Sequence, residues 1–178
     1  MKKTTLHYST SNAIVLSFFL LLMIGCQKDV TNKDDTAVNT DIAKSATPAI
    51  PPFNIEVILR GDGKGFGHVK FRQDNDIAKI ISLETWVRDL EPNHEYQLQR
   101  AVDQILDGNC TGTNWLTLGK GLVAQSILTD NDGTGKEDLW RDVSSVSTGS
   151  TFDIHFRIID KTSGAIVLTS DCYVYTVR

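Results

Sequence analysis

Three features of the 178-residue sequence predict an all-β fold, a Greek-key-like β-sandwich of about seven to nine strands behind an irregular N-terminal segment. The first is TFDIHFRIID, Thr151 to Asp160, where Phe152, Ile154, Phe156 and Ile158 alternate with Asp153, His155 and Arg157. A period of two puts the apolar set on one face of a strand and the polar set on the other. The second is a series of segments rich in β-branched and aromatic residues, separated by clusters of Gly, Asn, Asp and Ser. The third is that no long segment holds a capped helical period.

The N-terminal part comes first. Lys2 and Lys3 precede an apolar run, Ala13–Ile24, that is too short for a bilayer-spanning helix of about 20 residues. A positive start, an apolar middle and a small residue are the parts of a secretory signal peptide. Met23-Ile24-Gly25-Cys26 resembles the lipobox of bacterial lipoproteins, with Met23 in place of the usual Leu. The resemblance implies diacylglyceryl transfer to the Cys26 thiol and cleavage before it, making residues 1–25 a signal peptide and the membrane a partner through lipid. Several acyl chains hold stably where one does not. Gln27 stands where an Asp would resemble the inner-membrane retention signal, so a lipid anchor in the outer membrane is expected, on its periplasmic face or at the cell surface. Lys28-Asp29 resembles the short charged tag with which some Gram-negative bacteria send lipoproteins to the surface.

Residues 26–52 follow as a lipidated flexible tether. They are rich in Asp, Asn, Thr, Lys and Ala and hold few large apolar residues, too little to offset the entropy of ordering. Pro48, Pro51 and Pro52 stiffen the end of the tether. Loss of residues 1–25 removes Lys2 and Lys3 and no acid, taking the formal charge from −4 to −6. An acidic chain of this kind is not expected to bind nucleic acid, or to dock on anionic lipid by charge.

Residues 53–178 make one domain. Strands are expected at Phe53–Leu59, His68–Gln73, Ile77–Val87, Glu95–Val102, Leu122–Leu128, Asp138–Val146, Thr151–Asp160 and Ala165–Val177. Between them lie the turn sequences GDGKGFG, EPNH, DGNCTGTN, TDNDGTG, STGS and KTSG. Gln97–Leu106 also admits a short helix. Leu90-Glu91-Pro92-Asn93-His94-Glu95-Tyr96 resembles the L-x-P-x-x-x-Y corner of fibronectin type III and related immunoglobulin-like domains, at Leu90, Pro92 and Tyr96. The resemblance implies a Tyr96 hydroxyl bonded back to the backbone. It covers these residues alone, and about half of the domain follows them. The layout also resembles the copper/zinc superoxide dismutase-like sandwich, without that fold's histidine-rich motif.

Cys110 and Cys172 remain once Cys26 carries lipid, and in an oxidising compartment they are expected to form a disulfide. Neither has a second Cys or His at ligand spacing. His68, His94 and His155, the histidines beyond residue 25, are too scattered to suggest copper or zinc, and no metal or other cofactor is expected.

The remaining candidates are sparse. GDGKGFG lacks the GKS or GKT of a phosphate loop and reads as a hairpin turn. In DNDGTGKED, Asp130, Asp132 and Asp138 form a calcium candidate with irregular spacing; the twelfth position of an EF-hand loop would fall on Arg141. Asp153 and His155 share a strand face that reads as solvated, and no nucleophile or H-E-x-x-H motif accompanies them. No catalytic residue is therefore assigned. Trp115, in the loop after Cys110, and Trp140, beside Arg141, are the candidate ligand-binding residues, because Trp stacks on sugars and anchors interfaces. The function expected is a non-enzymatic binding or adhesion module with a glycan or an envelope protein as ligand. The alternatives are an envelope enzyme with a loop-built hydrolytic or metal-assisted site, and a structural envelope component.

Overall fold

The computed structural model describes residues 51–178. The expected signal peptide, the lipidation site expected at Cys26 and the expected tether up to residue 50 lie outside the described residues.

The chain runs through β1 (Phe53–Arg60), β2 (Phe66–Gln73), β3 (Ile80–Arg88), β4 (Glu95–Asp103), β5 (Leu116–Thr117), β6 (Gly119–Lys120), β7 (Val123–Ala124), β8 (Ile127–Leu128), β9 (Gly135–Asp142), β10 (Thr151–Asp160), β11 (Ile166–Ser170) and β12 (Tyr173–Thr176). All twelve belong to one sheet, ordered β5-β4-β10-β11-β1-β2-β3-β9-β6-β7, with β12 on β10 and β8 on β4.

The all-β class stands, with two corrections. The strands form one hydrogen-bonded path, not two separate sheets. Their number exceeds seven to nine because four of them, β5 to β8, are only two residues long. Those short strands nearly close the sheet into a barrel. β5 and β8 pair with β4, while β6 pairs with β9 and Thr129 bridges Gly135, so one segment touches both ends of the path. The Leu118 N–H donates to the Leu98 carbonyl at 2.8 Å, tightening the same seam.

The helical option at Gln97–Leu106 is excluded. Gln97 to Asp103 belong to β4, which pairs with β10 from Asp160↔Tyr96 to Asp153↔Asp103, and residues 104–106 open the loop that follows. A ladder of that length pairs one edge of the strand throughout and sets the alternating residues on opposite faces. The expected strand Leu122–Leu128 is broken into β7 and β8, and Ala165–Val177 into β11 and β12.

Period two builds the core. In β3 every second residue is buried, and Ile81, Leu83, Thr85 and Val87 face inward. Val57, Leu59, Val69, Phe71, Leu98, Phe156 and Ile158 meet them from the other long strands. Phe71 packs edge-on against Phe53, Phe156 and Tyr175. Truncating a core side chain of this kind to Ala costs about 2–5 kcal/mol.

Two polar devices finish the barrel ends. Buried Gln73 accepts from the Tyr175 hydroxyl at 2.7 Å and from the Arg178 N–H at 2.9 Å, holding the last residue of the chain. At the other end the Glu91 N–H donates to the Tyr96 hydroxyl at 3.1 Å, the backbone bond implied by the corner motif.

Candidate functional site

The outer face of β4 and β10 is covered, not solvated. The loop 104–115 lies over it, and the disulfide Cys110–Cys172 ties that loop to the residue before β12. Asp153 is fully buried. Its Oδ2 accepts from the Asp107 N–H at 3.1 Å and the Gly108 N–H at 2.9 Å, while Oδ1 has no partner among the described residues. Asp103 does the same for the Thr111 and Gly112 N–H groups, at 2.7 and 2.9 Å. Two carboxylates on neighbouring strands thus hold a loop that has few backbone partners of its own. Alternation placed Asp153, His155 and Arg157 correctly on the outer face. It carried no information on whether water or another part of the chain lies beyond.

Trp115 belongs to this cover. Its ring centroid is 4.6 Å from that of His155, and the Arg157 guanidinium lies 4.0 Å over it. His155 Nε2 donates to the Gly112 carbonyl at 3.1 Å, and Arg157 Nε donates to Gln99 Oε1 at 2.7 Å. Asp153 and His155 therefore serve different parts of the loop. The cation–π stack already occupies one face of the Trp115 ring.

Trp140 is more open. It stands on the outer face of β9, 41% exposed, with its ring over Gly121. A Cβ built at Gly121, whose φ is +68°, would come within 2.8 Å of that ring, so the close approach needs a glycine. Leu122 and Val123, next along the chain, are also exposed.

Asp130, Asp132 and Asp138 are not brought together. Asp130 Oδ1 caps its own turn, accepting from the Asp132 and Thr134 N–H groups at 2.9 Å each. Asp138 stands on β9, opposite Glu84 and 3.6 Å from Lys136. Among the described residues no group of three His, Cys, Asp or Glu side chains could hold a metal ion. The histidines have separate partners: His68 pairs with Glu56, and His94 with Asp160.

The site that sequence reasoning missed lies inside the barrel. At the end where β2, β4 and β9 finish and β3 and β10 begin, a cavity of about 190 Å³ opens between the inner faces. Its walls include Phe71, Ile81, Leu83, Val102, Phe152, Ile154 and Val177, with Arg100 and Arg141 among them. Both arginines take the inward phase of their strands, Arg100 between Leu98 and Val102, and Arg141 between Leu139 and Val143. Arg141 Nη1 donates to the Gly121 carbonyl at 3.2 Å. The ion-paired arginines are Arg72 and Arg88; neither Arg100 nor Arg141 meets a carboxylate among the described residues. Burial pulls the Arg100 guanidinium below its ordinary pKa, and the charge of Arg141 adds to the effect. The signal was present in YQLQRAV and LWRDV, each with an arginine in the apolar phase of an alternating strand.

No protein-family model matches the chain, and no curated protein is similar to it in sequence.

Proposed function

We propose that the protein is a lipid-anchored lipoprotein of the outer membrane whose β domain is a non-enzymatic binding module, and that it takes a small ligand into the barrel-end cavity. The lipobox at Met23–Cys26 supports the anchor. One observation carries the binding reading: an apolar cavity that holds two arginines and no carboxylate. Ligand sites are mostly apolar with a few placed polar groups, and this cavity has that make-up. None of its lining residues is Asp, Glu, His, Ser, Cys or Lys, so the wall offers no pair to move a proton and no activated nucleophile. Its one hydroxyl, on Tyr175, is engaged by Gln73.

A thermal-shift screen of small apolar and amphiphilic compounds on the purified full mature chain tests this. At least one compound should raise the melting temperature of the wild type and leave that of Val143→Phe, whose added ring fills the cavity, unmoved. Equal responses from both proteins, or none from either, would sink it.

A second reading, docking of an envelope protein or glycan on the outer surface, is favoured by exposed Trp140 beside Leu122 and Val123. It requires Trp140→Ala to abolish capture of envelope material that Val143→Phe still captures.

A further inference from the structure

Arg100 and Arg141 occupy positions that the strand pattern assigns to apolar residues. Taking a guanidinium out of water is unfavourable, and a second positive charge in the same cavity adds repulsion. At Arg100, whose side chain has no hydrogen-bond partner among the described residues, an apolar residue of similar volume would be the more stable choice; Arg141 spends one N–H on the Gly121 carbonyl. Two part-buried positive charges that face one open space and have no ion partner among the described residues are suited to meeting a ligand.

We propose that Arg100 and Arg141 are the anion receptor of this cavity, and that its ligand is a small monocarboxylate with an apolar body, a short fatty or aromatic acid. The proposal rests on reading the cavity as a binding site and adds the chemistry of what it takes. The planar guanidinium fork matches two carboxylate oxygens. A phosphate group would bring a third charged oxygen, and the lining has no Ser, Thr, Asn or Lys to satisfy it. The apolar body lies against Phe71, Ile81, Phe152 and Ile154. Size limits it as well. A dry cavity of roughly 150 Å³ holds a benzene, so 190 Å³ admits a body of about six to eight carbons.

Calorimetric titration of the full mature chain with octanoate, 1-octanol and inorganic phosphate separates the possibilities. Octanoate should bind more tightly than octanol, and phosphate alone should not compete. Arg100→Met and Arg141→Met should each weaken octanoate by about tenfold to a hundredfold, the range for a charge-assisted hydrogen-bonded pair, and leave octanol unchanged. Arg100→Met should also raise the melting temperature of the unliganded protein, whereas an arginine with a purely structural role would lower it on removal. Arg100→Lys, which keeps the charge and loses the fork, guards against misfolding of the Met variants and should bind octanoate at an intermediate level. Octanol binding as well as octanoate, with no loss in the Arg variants, overturns the anion receptor and leaves the binding module standing. Competition by phosphate overturns the monocarboxylate class. Binding of neither organic compound to folded protein overturns the cavity as a site altogether, and this proposal with it.

Discussion

Asp153 on β10 and Asp103 on β4 face each other across the sheet register, and each carboxylate takes two backbone N–H groups from the same loop. Asp153 anchors Asp107 and Gly108, before Cys110; Asp103 anchors Thr111 and Gly112, just after it. The disulfide therefore leaves the loop between two fixed points, and Trp115 closes over His155 and Arg157 beyond them.

Asp153→Ala should lower stability by about 2–3 kcal/mol, since it orphans two loop N–H groups in a buried place. Asp153→Asn keeps an acceptor for them and should stay within about 1 kcal/mol of the wild type. Urea denaturation of both variants checks the ordering; an equal loss in the two would mean that the hydrogen bonds are not what matters.

Opening the disulfide should act on the same loop. Cys110→Ser with Cys172→Ser should lower stability by up to about 4 kcal/mol in the chain-entropy picture. Hydrogen exchange should quicken at residues 104–115 and at β12 more than in β1 to β3. Uniform quickening across the sheet would show that the bond stabilises the barrel as a whole.

The acid limb of stability should carry a signature of Asp160. Its carboxylate accepts from the Ser163 and Thr162 N–H groups and the Ser163 hydroxyl, and pairs with His94. The Ser163 backbone bond leads in holding its pKa at about 2, below the ordinary 3.8. A carboxyl depressed on folding adds stability that is complete above its unfolded value and is lost as pH falls through the folded one. The urea midpoint of the wild type should therefore fall between about pH 4 and pH 2, and that of Asp160→Asn should fall less over the same interval. Parallel curves would remove Asp160 from the account.

Tyr96→Phe tests the corner. It removes the acceptor of the Glu91 N–H and keeps the buried ring, so a loss of about 1–2 kcal/mol is expected in the urea transition. A neutral result would mean that water replaces the hydroxyl.

Much of this fold was legible because two of its signals are local. The alternation in Thr151–Asp160 and the Leu90–Tyr96 corner are each written in a few consecutive residues, and both appear as read. The short strands were not legible, since two residues carry no period. Nor was the cover over Asp153, because alternation separates two faces without naming what lies on the second. Arg100 and Arg141 were hidden differently. Each interrupts an apolar phase, which a hydrophobicity pattern registers as a weaker strand and not as a charged group turned inward. Only the near-closure of the sheet, in which the short strands between Leu116 and Leu128 pair with β4 on one side and β9 on the other, brings the two to one cavity.

The pairing of Leu59 with Ser170 has a consequence for the order of assembly. The first strand finds its second neighbour only near the end of the chain. A polypeptide emerging N-terminus first can zip β1, β2 and β3 into a meander, but β1 keeps one bare edge until residues beyond 166 are free. Contacts this distant in sequence make for slow closure. During synthesis the domain is thus held open by its own topology, and an unclosed chain is the kind that can still be threaded through a narrow pore. The same interval leaves an unpaired strand edge exposed to other chains, so a chain stalled or cut before residue 166 should favour aggregation over a truncated native fold.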